Sequence, residues 1–185
     1  GVFRLSFQGE GAAFLPVDDT NLAMRSAKLL AERFRRDDVG VTLLIRKRIP
    51  VAGGMAGGSA DAAAVLVACN ALWEVGATRE DLHELAAAVG SDVPFLLMGG
   101  TAIGTGRGDL LAPVISSGTF HWTLALSHAG LSTPAVFKEF DRISSPQDTS
   151  IPVALLEALR AGDSEGVGAA LINGLKPAAI SLQPT

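Results

Sequence analysis

The stretch with the clearest chemical signature is residues 50–61, Pro-Val-Ala-Gly-Gly-Met-Ala-Gly-Gly-Ser-Ala-Asp, which holds four glycines. Glycine reaches positive φ at little cost and has no Cβ to obstruct a close ligand, so such a loop can turn its backbone N–H groups inward. A helix that we expect to begin near Ser59 adds unsatisfied N–H groups and the positive end of its dipole. Together these donors indicate a site for an anion such as polyphosphate.

Other kinds of glycine-rich loop set limits on this interpretation. The stretch is not a Walker A loop, because no Gly-Lys-Ser/Thr closes it, and it is not the G-x-G-x-x-G of dinucleotide sites. The protein-kinase signatures are missing from the sequence as well. Glycine clusters also form plain tight turns, but four glycines between a strand and a buried helix favour the anion site. The physical chemistry of the loop alone predicts an anion site but does not identify the anion.

Three side chains near this loop or downstream of it could take part in chemistry. Ser59 could cap the helix, or contact phosphate or magnesium through its hydroxyl. Asp61 complements the helix dipole, and beside phosphate it would need magnesium or a hydrogen-bonding role, for example to ribose or adenine. Asp92 precedes an apolar run at the expected edge of a core, where partial burial would suit a general base. For Asp92 alone, a cap at a helix end is the common alternative.

The remaining polar candidates favour structural roles. His83, His121 and His128 form no cluster with Cys or carboxylates at metal-ligand spacing, so we predict no zinc site. The glycines of residues 104–108 could approach phosphate and Arg107 could clamp it, but a hairpin turn explains them equally well. These residues therefore add no second catalytic centre.

The periodicity of apolar residues predicts the elements that must position the loop. Alternation predicts strands at 3–8, 41–45 and 120–126. Apolar stripes and capping signals predict helices at 22–34, 59–74 (buried on nearly every side), 78–89, 133–143 and 152–162. Asn21 or its two predecessors would cap the first of these, a capping box begins the third, Gly90 closes it at C′, and Thr133 caps the fourth. A polar break at 116–118 predicts a mixed α/β first domain, 1–117, and an incomplete second one, 118–185.

Composition excludes several functional classes. The net charge of -4 and the pI near 5.3 argue against a nucleic-acid partner or an anionic membrane surface. Hydrophobic residues make up 48% of the chain, enough for a real core. The longest apolar stretch, 60–73, is too short to span a bilayer, and the N-terminus does not resemble a signal peptide. A single cysteine, Cys69, fits a reducing compartment, so we expect a cytoplasmic protein.

The residues of the loop and of a second motif resemble the GHMP kinase superfamily. The family pattern Pro-x-x-x-Gly-x-Gly-Gly-Gly-Ser-Ser-Asn-Ala-Ala matches residues 50–63, with Ala56, Ala60 and Asp61 in place of a glycine, a serine and the asparagine. Gly-Ser-Asp-Val-Pro at 90–94 matches the second family motif at the expected spacing. The closest branch phosphorylates a cytidine-diphosphate-linked methylerythritol in the non-mevalonate isoprenoid pathway, in its actinobacterial form, and the resemblance extends to residues 20–22 and 130–137.

This resemblance implies an α+β, two-domain GHMP fold, with an N-terminal domain like domain 2 of ribosomal protein S5 and a ferredoxin-like C-terminal domain. It also implies ATP and Mg²⁺ as cofactors, Asp92 as the catalytic aspartate, and Asn21 and Lys47 near the adenine. Thr133 and Phe137 would lie at the substrate side. The phosphates of ATP would bind to the loop and the start of its helix, which comprise Pro50, Val51, Ala52, Gly53, Gly54, Met55, Ala56, Gly57, Gly58, Ser59, Ala60 and Asp61.

Two family features have no counterpart in the chain, namely an N-terminal lysine segment with its cytosine-binding stretch and a C-terminal Gly-Ser-Gly motif. We therefore expect an internal piece of a longer enzyme, incomplete at both ends. Two alternatives stay open at this point. One is another GHMP kinase, acting on homoserine, mevalonate or a sugar, and the other is a non-catalytic nucleotide-binding module.

Overall fold

The computed structural model describes residues 1–9, 11–51, 53–125, 130–143 and 150–184 of the chain. The chain divides into two compact units, one formed by Gly1–Val51 with Met55–Pro113 and the other by Ala52–Gly54 with Val114–Thr185. The domain division expected after residue 117 stays a prediction.

The first unit contains both strands and helices. In chain order they are strand β1 (Phe3–Gln8), a short 3-10 helix (Ala12–Phe14), helix α1 (Leu22–Arg33), strand β2 (Val41–Arg46), helices α2 (Gly57–Leu72), α3 (Arg79–Val89) and α4 (Val93–Met98), and strands β3 (Ala102–Thr105) and β4 (Leu110–Pro113). The described elements of the second unit are helices α5 (Thr133–Ile143), α6 (Val153–Ala161), α7 (Ser164–Ala170) and α8 (Lys176–Leu182).

Strands β1 and β2 lie side by side in parallel and are joined through α1. Phe3 is opposite Val41, and Gln8 is opposite Arg46. Parallel neighbours need a crossover connection, and α1 supplies it. This arrangement confirms both strands that the alternation predicts, and it places the end of β2 directly before the glycine-rich loop.

The core of the first unit lies between α1, α2 and α3. Helices α1 and α2 pack against each other, and α4 packs on α2 and α3. The buried side chains are mostly small or aliphatic, and they include Ala23, Ala27, Leu30, Ala62, Leu66, Cys69, Leu85, Ala86 and Val93. Small residues permit close helix contact, so the start of α2 rests on a tightly packed base.

Helix α2 differs from the prediction in two ways. It begins at Gly57, two residues before the expected start at Ser59. It is also not buried all round, because Val67 and Leu72 are exposed. The other described helices pack against one side of α2 only, so an apolar sequence on every side does not produce burial on every side.

Helix α3 confirms its predicted start and corrects the geometry of its end. The Thr78 hydroxyl accepts a hydrogen bond from the Asp81 N–H, and the Asp81 carboxylate accepts one from the Thr78 N–H, so the capping box is present. The helix ends at Val89 as predicted. Gly90, however, has φ -179°, which is extended backbone and not the left-handed conformation common at C′.

Residues 104–108 contain the end of β3 and most of the turn of a β3–β4 hairpin. Thr105 pairs with Leu110, and Gly106 and Gly108 have positive φ in the turn between them. Arg107 donates a hydrogen bond of 2.7 Å to the Asp109 carboxylate within the same turn. The hairpin interpretation is therefore confirmed.

The second unit confirms both predicted helices and contradicts one predicted strand. Helix α6 follows Pro152 and ends at Gly162, whose φ of 71° is left-handed. Helix α5 begins at Thr133, whereas we expected Thr133 to be the N-cap and Pro134 the first helical residue. Residues 119–125 form no strand, because no described segment pairs with them; the rest of that prediction and His128 lie outside the described residues.

Among the residues that the structure describes, no helix combines the length and apolar character needed to cross a membrane.

Candidate functional site

The glycine-rich loop connects the end of β2 to the start of α2. Pro50 and Val51 are exposed, and Ala52 lies outside the described residues. Gly53 and Gly54 are exposed and belong to the second unit, and Gly54 takes positive φ (67°) with nothing near the position of a Cβ. Met55 leads into Ala56, the residue that caps α2.

The start of α2 has backbone donors that no capping side chain satisfies. Ala56 is the N-cap residue and has no side-chain oxygen to accept a hydrogen bond, and its φ is 50°. Its carbonyl accepts the first helical bond, from the Ala60 N–H at 2.9 Å. The N–H groups of the first turn, at Gly57, Gly58 and Ser59, therefore remain available to an anion. Because Ser59 is the third residue of α2, the alternative that it caps the helix is wrong.

Gly57 and Gly58 occupy very different surroundings. A Cβ on Gly57 would lie 3.0 Å from Ile49 Cγ2 and 3.4 Å from Lys47 Nζ. A Cβ on Gly58 would meet only Leu22 Cδ1, at 3.9 Å. A methyl group at position 57 would require Ile49 to move by a few tenths of an ångström, whereas position 58 has room for one.

Lys47 and Asp61 form an ion pair beside the helix start. Lys47 Nζ lies 2.6 Å from Asp61 Oδ2, and the two side chains are 5% and 21% exposed. Lys47 follows β2, and Asp61 is the fifth residue of α2, so the pair joins the two elements that flank the loop. The pairing of Lys47 with Asp61 was not predicted from the sequence. The only signal in the sequence is a group of three cations before the loop, Arg46, Lys47 and Arg48, and one anion at its end, Asp61.

Both polar atoms of the Asn21 side-chain amide form hydrogen bonds to nearby backbone groups. Its Oδ1 accepts a hydrogen bond from the Ala23 N–H at 2.9 Å, which caps α1. Its Nδ2 donates to the Pro16 carbonyl at 2.9 Å. The predicted N-cap is thereby confirmed, while a contact of Asn21 with adenine stays a prediction.

Asp92 stands at the start of α4 with its side chain exposed. It is the N-cap residue by position, yet its carboxylate accepts no capping hydrogen bond. The prediction that Asp92 is partly buried is wrong. Asp92 is exposed, and only the following Val93 and Pro94 are buried. Those two residues anchor α4 on its neighbours. The carboxylate is therefore presented to solvent from a fixed backbone position.

Thr133 and Phe137 lie on α5 in the second unit. Thr133 is the first residue of the helix and is exposed, and the Phe137 residue is 51% exposed. An exposed phenyl ring is able to stack on a planar ligand. The substrate-side role of both residues stays a prediction.

No group of three or more His, Cys, Asp or Glu side chains that could hold a metal ion occurs within the described ranges.

Comparisons with known proteins place this geometry in a family. Residues 21–100 match the model of the GHMP kinases N terminal domain, a range that contains the loop, α2 and Asp92. A relative from Mycolicibacterium smegmatis named 4-diphosphocytidyl-2-C-methyl-D-erythritol kinase is 56% identical over 99% of this chain and 58% of its own length. A relative of the same name from Streptomyces coelicolor is 54% identical over 98% of this chain and 61% of its own length.

A solved structure agrees with the sequence relatives. The crystal structure of 4-(cytidine 5'-diphospho)-2C-methyl-D-erythritol kinase superposes with a TM-score of 0.70 at 34% identity, over 97% of this chain and 61% of that one. The chain thus spans about three fifths of the length of the relatives that it matches. The expected α+β GHMP fold is confirmed, and residues 21–100 belong to the family of GHMP kinases N terminal domains.

Proposed function

We propose that the full-length protein containing this chain transfers the γ-phosphate of ATP to the 2-hydroxyl of 4-diphosphocytidyl-2-C-methyl-D-erythritol, a step of non-mevalonate isoprenoid precursor synthesis. Relatives that carry this enzyme's name and cover nearly the whole chain support the proposal. The structural observation that carries it is the start of α2, where no side chain caps the first-turn N–H groups and a glycine-rich loop leads into them. We further propose a cytoplasmic location.

The phosphates of ATP would bind to the loop and to the first turn of α2, within residues 50–61. Backbone N–H groups are strong donors to phosphate oxygens, and the helix dipole favours negative charge at this end. We place the adenine near Asn21 and near the end of β2. Since phosphoryl transfer depends mainly on positioning and electrostatics, a helix start that is anchored by packed helices suits it.

Asp92 would receive or orient the proton of the attacking hydroxyl. The hydroxyl oxygen forms a bond to the γ-phosphorus while the bond from that phosphorus to the bridging oxygen breaks, and ADP leaves with the electron pair. The proton of the hydroxyl passes toward the Asp92 carboxylate. This side chain suits that role because it is exposed and no capping bond occupies it.

Mg²⁺, when bound with ATP, supplies positive charge to the phosphates. Among the residues of the loop and the first turn, the Ser59 hydroxyl is the side-chain oxygen available to contact it. Asp61 is paired with Lys47 through Oδ2, so the ion would meet a carboxylate whose charge is already neutralised. The protein therefore offers few ligands of its own, which agrees with the reliance of Mg²⁺ on substrate phosphates and water.

We propose a second domain at residues 118–185 and assign it contacts with the substrate. Thr133 and Phe137 are its candidate contacts, since an exposed aromatic ring can stack on a cytosine. No nucleic-acid or membrane partner is proposed, in agreement with the net charge of -4.

Phosphoryl transfer by the full-length protein tests the proposal. ATP would be supplied with 4-diphosphocytidyl-2-C-methyl-D-erythritol, homoserine, mevalonate or a sugar, and we expect turnover with the first alone. The Asp92→Asn variant should lose ~10²–10⁴ in kcat while it keeps its affinity for ATP. Asp37→Asn, which changes another exposed aspartate of the first unit, is the matched control and should keep full activity.

The possible outcomes separate the alternatives. Turnover of a different acceptor would assign the protein to another branch of the family. Binding of ATP with no turnover of any acceptor would favour a non-catalytic nucleotide-binding module. Near-normal kcat in Asp92→Asn would remove Asp92 from the mechanism.

A further inference from the structure

The Lys47 ammonium lies between the Asp61 carboxylate and the first residue of α2. Its Nζ is 2.6 Å from Asp61 Oδ2 and would be 3.4 Å from a Cβ on Gly57. The Lys47 side chain is only 5% exposed. The positive charge is therefore held at the junction between loop and helix, on the protein side of that junction, and is largely removed from water.

The negative charge of Asp61 would repel an anion that is bound at the start of α2. It is the fifth residue of α2, so it lies about 6 Å along the helix axis from Gly57. The favourable effect of the helix dipole on a carboxylate fades beyond the first turn. A negative charge a few ångströms from a bound phosphate in a partly buried place is strongly repulsive. Unless it is neutralised, Asp61 would oppose the function proposed for the helix start.

We propose that Lys47 is a positioning residue that acts on the phosphate site through Asp61. It neutralises the carboxylate and fixes its direction, so that a polyphosphate meets no net negative charge at the start of α2. This inference rests on the proposed function, and it differs from the direct adenine contact that the family resemblance implies for Lys47. It also explains how the chain tolerates Asp61 where the family pattern has a neutral asparagine.

A double-mutant cycle that removes the two charges distinguishes an action of Lys47 through Asp61 from a direct contact with adenine. The variants Lys47→Met, Asp61→Asn and the double variant are prepared in the full-length protein, and calorimetry measures their affinities for ATP and for adenosine. Lys47→Met should weaken ATP binding by roughly tenfold, because Asp61 is left uncompensated. The double variant should return to within about threefold of the unchanged protein, since no unpaired charge remains. Affinity for adenosine, which carries no phosphate, should stay within about twofold in all three.

The control removes a similar pair elsewhere in the first unit. Lys28 forms an ion pair with Asp19 on the exposed face of α1, so Lys28→Met should leave the affinity for ATP unchanged. Asp61→Asn alone should bind ATP at least as tightly as the unchanged protein, because the ammonium of Lys47 then faces the phosphates without a partner.

Several results would overturn the inference. If the double variant binds ATP as weakly as Lys47→Met, or if adenosine affinity falls in parallel, Lys47 contacts the nucleotide directly. If Lys47→Met does not fold, the double variant decides, because it leaves neither a buried carboxylate nor a buried ammonium without a partner. A folded, unchanged protein that binds no ATP would remove the proposed function and this inference together, whereas the other results concern Lys47 alone.

Discussion

The indole Nε1 of Trp73 donates a hydrogen bond to the Gly40 carbonyl at 3.2 Å, and so ties the end of α2 to the start of β2. The backbone carbonyl of Trp73 accepts a further bond from Arg36 Nη1 at 2.7 Å. Its ring meets Phe3 edge to face, with the ring centroids 6.1 Å apart. Trp73 therefore joins α2 to both strands of the parallel pair, at the end of the helix opposite to the glycine-rich loop.

Removal of the indole N–H should weaken the first unit measurably. Trp73→Phe keeps an aromatic ring near Phe3 but leaves the Gly40 carbonyl without its donor, and we expect a loss of about 1 kcal/mol in the free energy of unfolding. Urea unfolding followed by circular dichroism measures it. Trp122→Phe is the control, because Trp122 is 61% exposed, and it should change the free energy little. Equal effects in the two variants would contradict the role given to the Trp73 N–H.

The two glycines at the start of α2 should respond oppositely to alanine. Gly58→Ala gains helix propensity and meets only an ordinary contact at 3.9 Å, so stability should rise by about 0.5 kcal/mol. Gly57→Ala places a methyl group 3.0 Å from Ile49 and 3.4 Å from Lys47 Nζ, so the strand-end residues must shift. We expect it to be roughly 1 kcal/mol less stable than Gly58→Ala.

Nucleotide affinity provides the second measurement on this pair of variants. Displacement of Lys47 from Asp61 should make Gly57→Ala bind ATP more weakly than Gly58→Ala does. If Gly57→Ala proves as stable as Gly58→Ala and binds ATP equally well, then the close approach of Lys47 and Ile49 does not constrain the helix start.

Local chemistry made several elements predictable from the sequence. The capping box of Thr78 and Asp81, the Asn21 cap and the left-handed Gly162 depend on residues within one helical turn. Their partners are therefore visible in the sequence itself. The strand alternation around Leu5 was also a correct guide, but there because the distant strand β2 pairs with it.

Features that depend on distant partners were not predictable in this way. The alternation that begins at Phe120 is typical of a strand, but a strand forms only where another pairs with it. The exposed face of α2 at Val67 reflects which helices pack on it and not its composition. Similarly, the glycine pattern located the loop, but the pairing of Lys47 with Asp61 depends on how the chain folds between them.

The thiol of Cys69 should be inert in the folded protein. Burial raises the pKa of Cys69 to about 11, so almost no thiolate forms at pH 8. The residue also lies in the core between helices, where a reagent cannot reach it. We expect an aromatic disulfide reagent to react at least about 100-fold more slowly with native protein than with protein in guanidinium. Rapid reaction under native conditions would show that α2 opens readily.

The pairing of α5 with α8 should depend on pH through Glu139. Two hydrogen bonds from Arg142 and one of 2.6 Å from the Ser181 hydroxyl lower the pKa of Glu139 from 4.5 to about 2. Because the folded-state pKa is the lower one, the stabilisation is fully present above about pH 4.5. It is lost as the pH falls toward 2, where the carboxylate is protonated.

The variant Glu139→Gln should therefore flatten the fall in stability of the second unit between pH 4.5 and 2, and should be less stable than the unchanged protein at pH 7. Urea unfolding at a series of pH values measures both effects. Glu157→Gln is the matched control, because Glu157 is exposed on α6, and its pH profile should follow that of the unchanged protein. Ser181→Ala should give an intermediate profile, since it removes one of the three donors and leaves the Arg142 contacts in place. A Glu139→Gln profile as steep as the unchanged one would mean that other carboxylates govern the acid response.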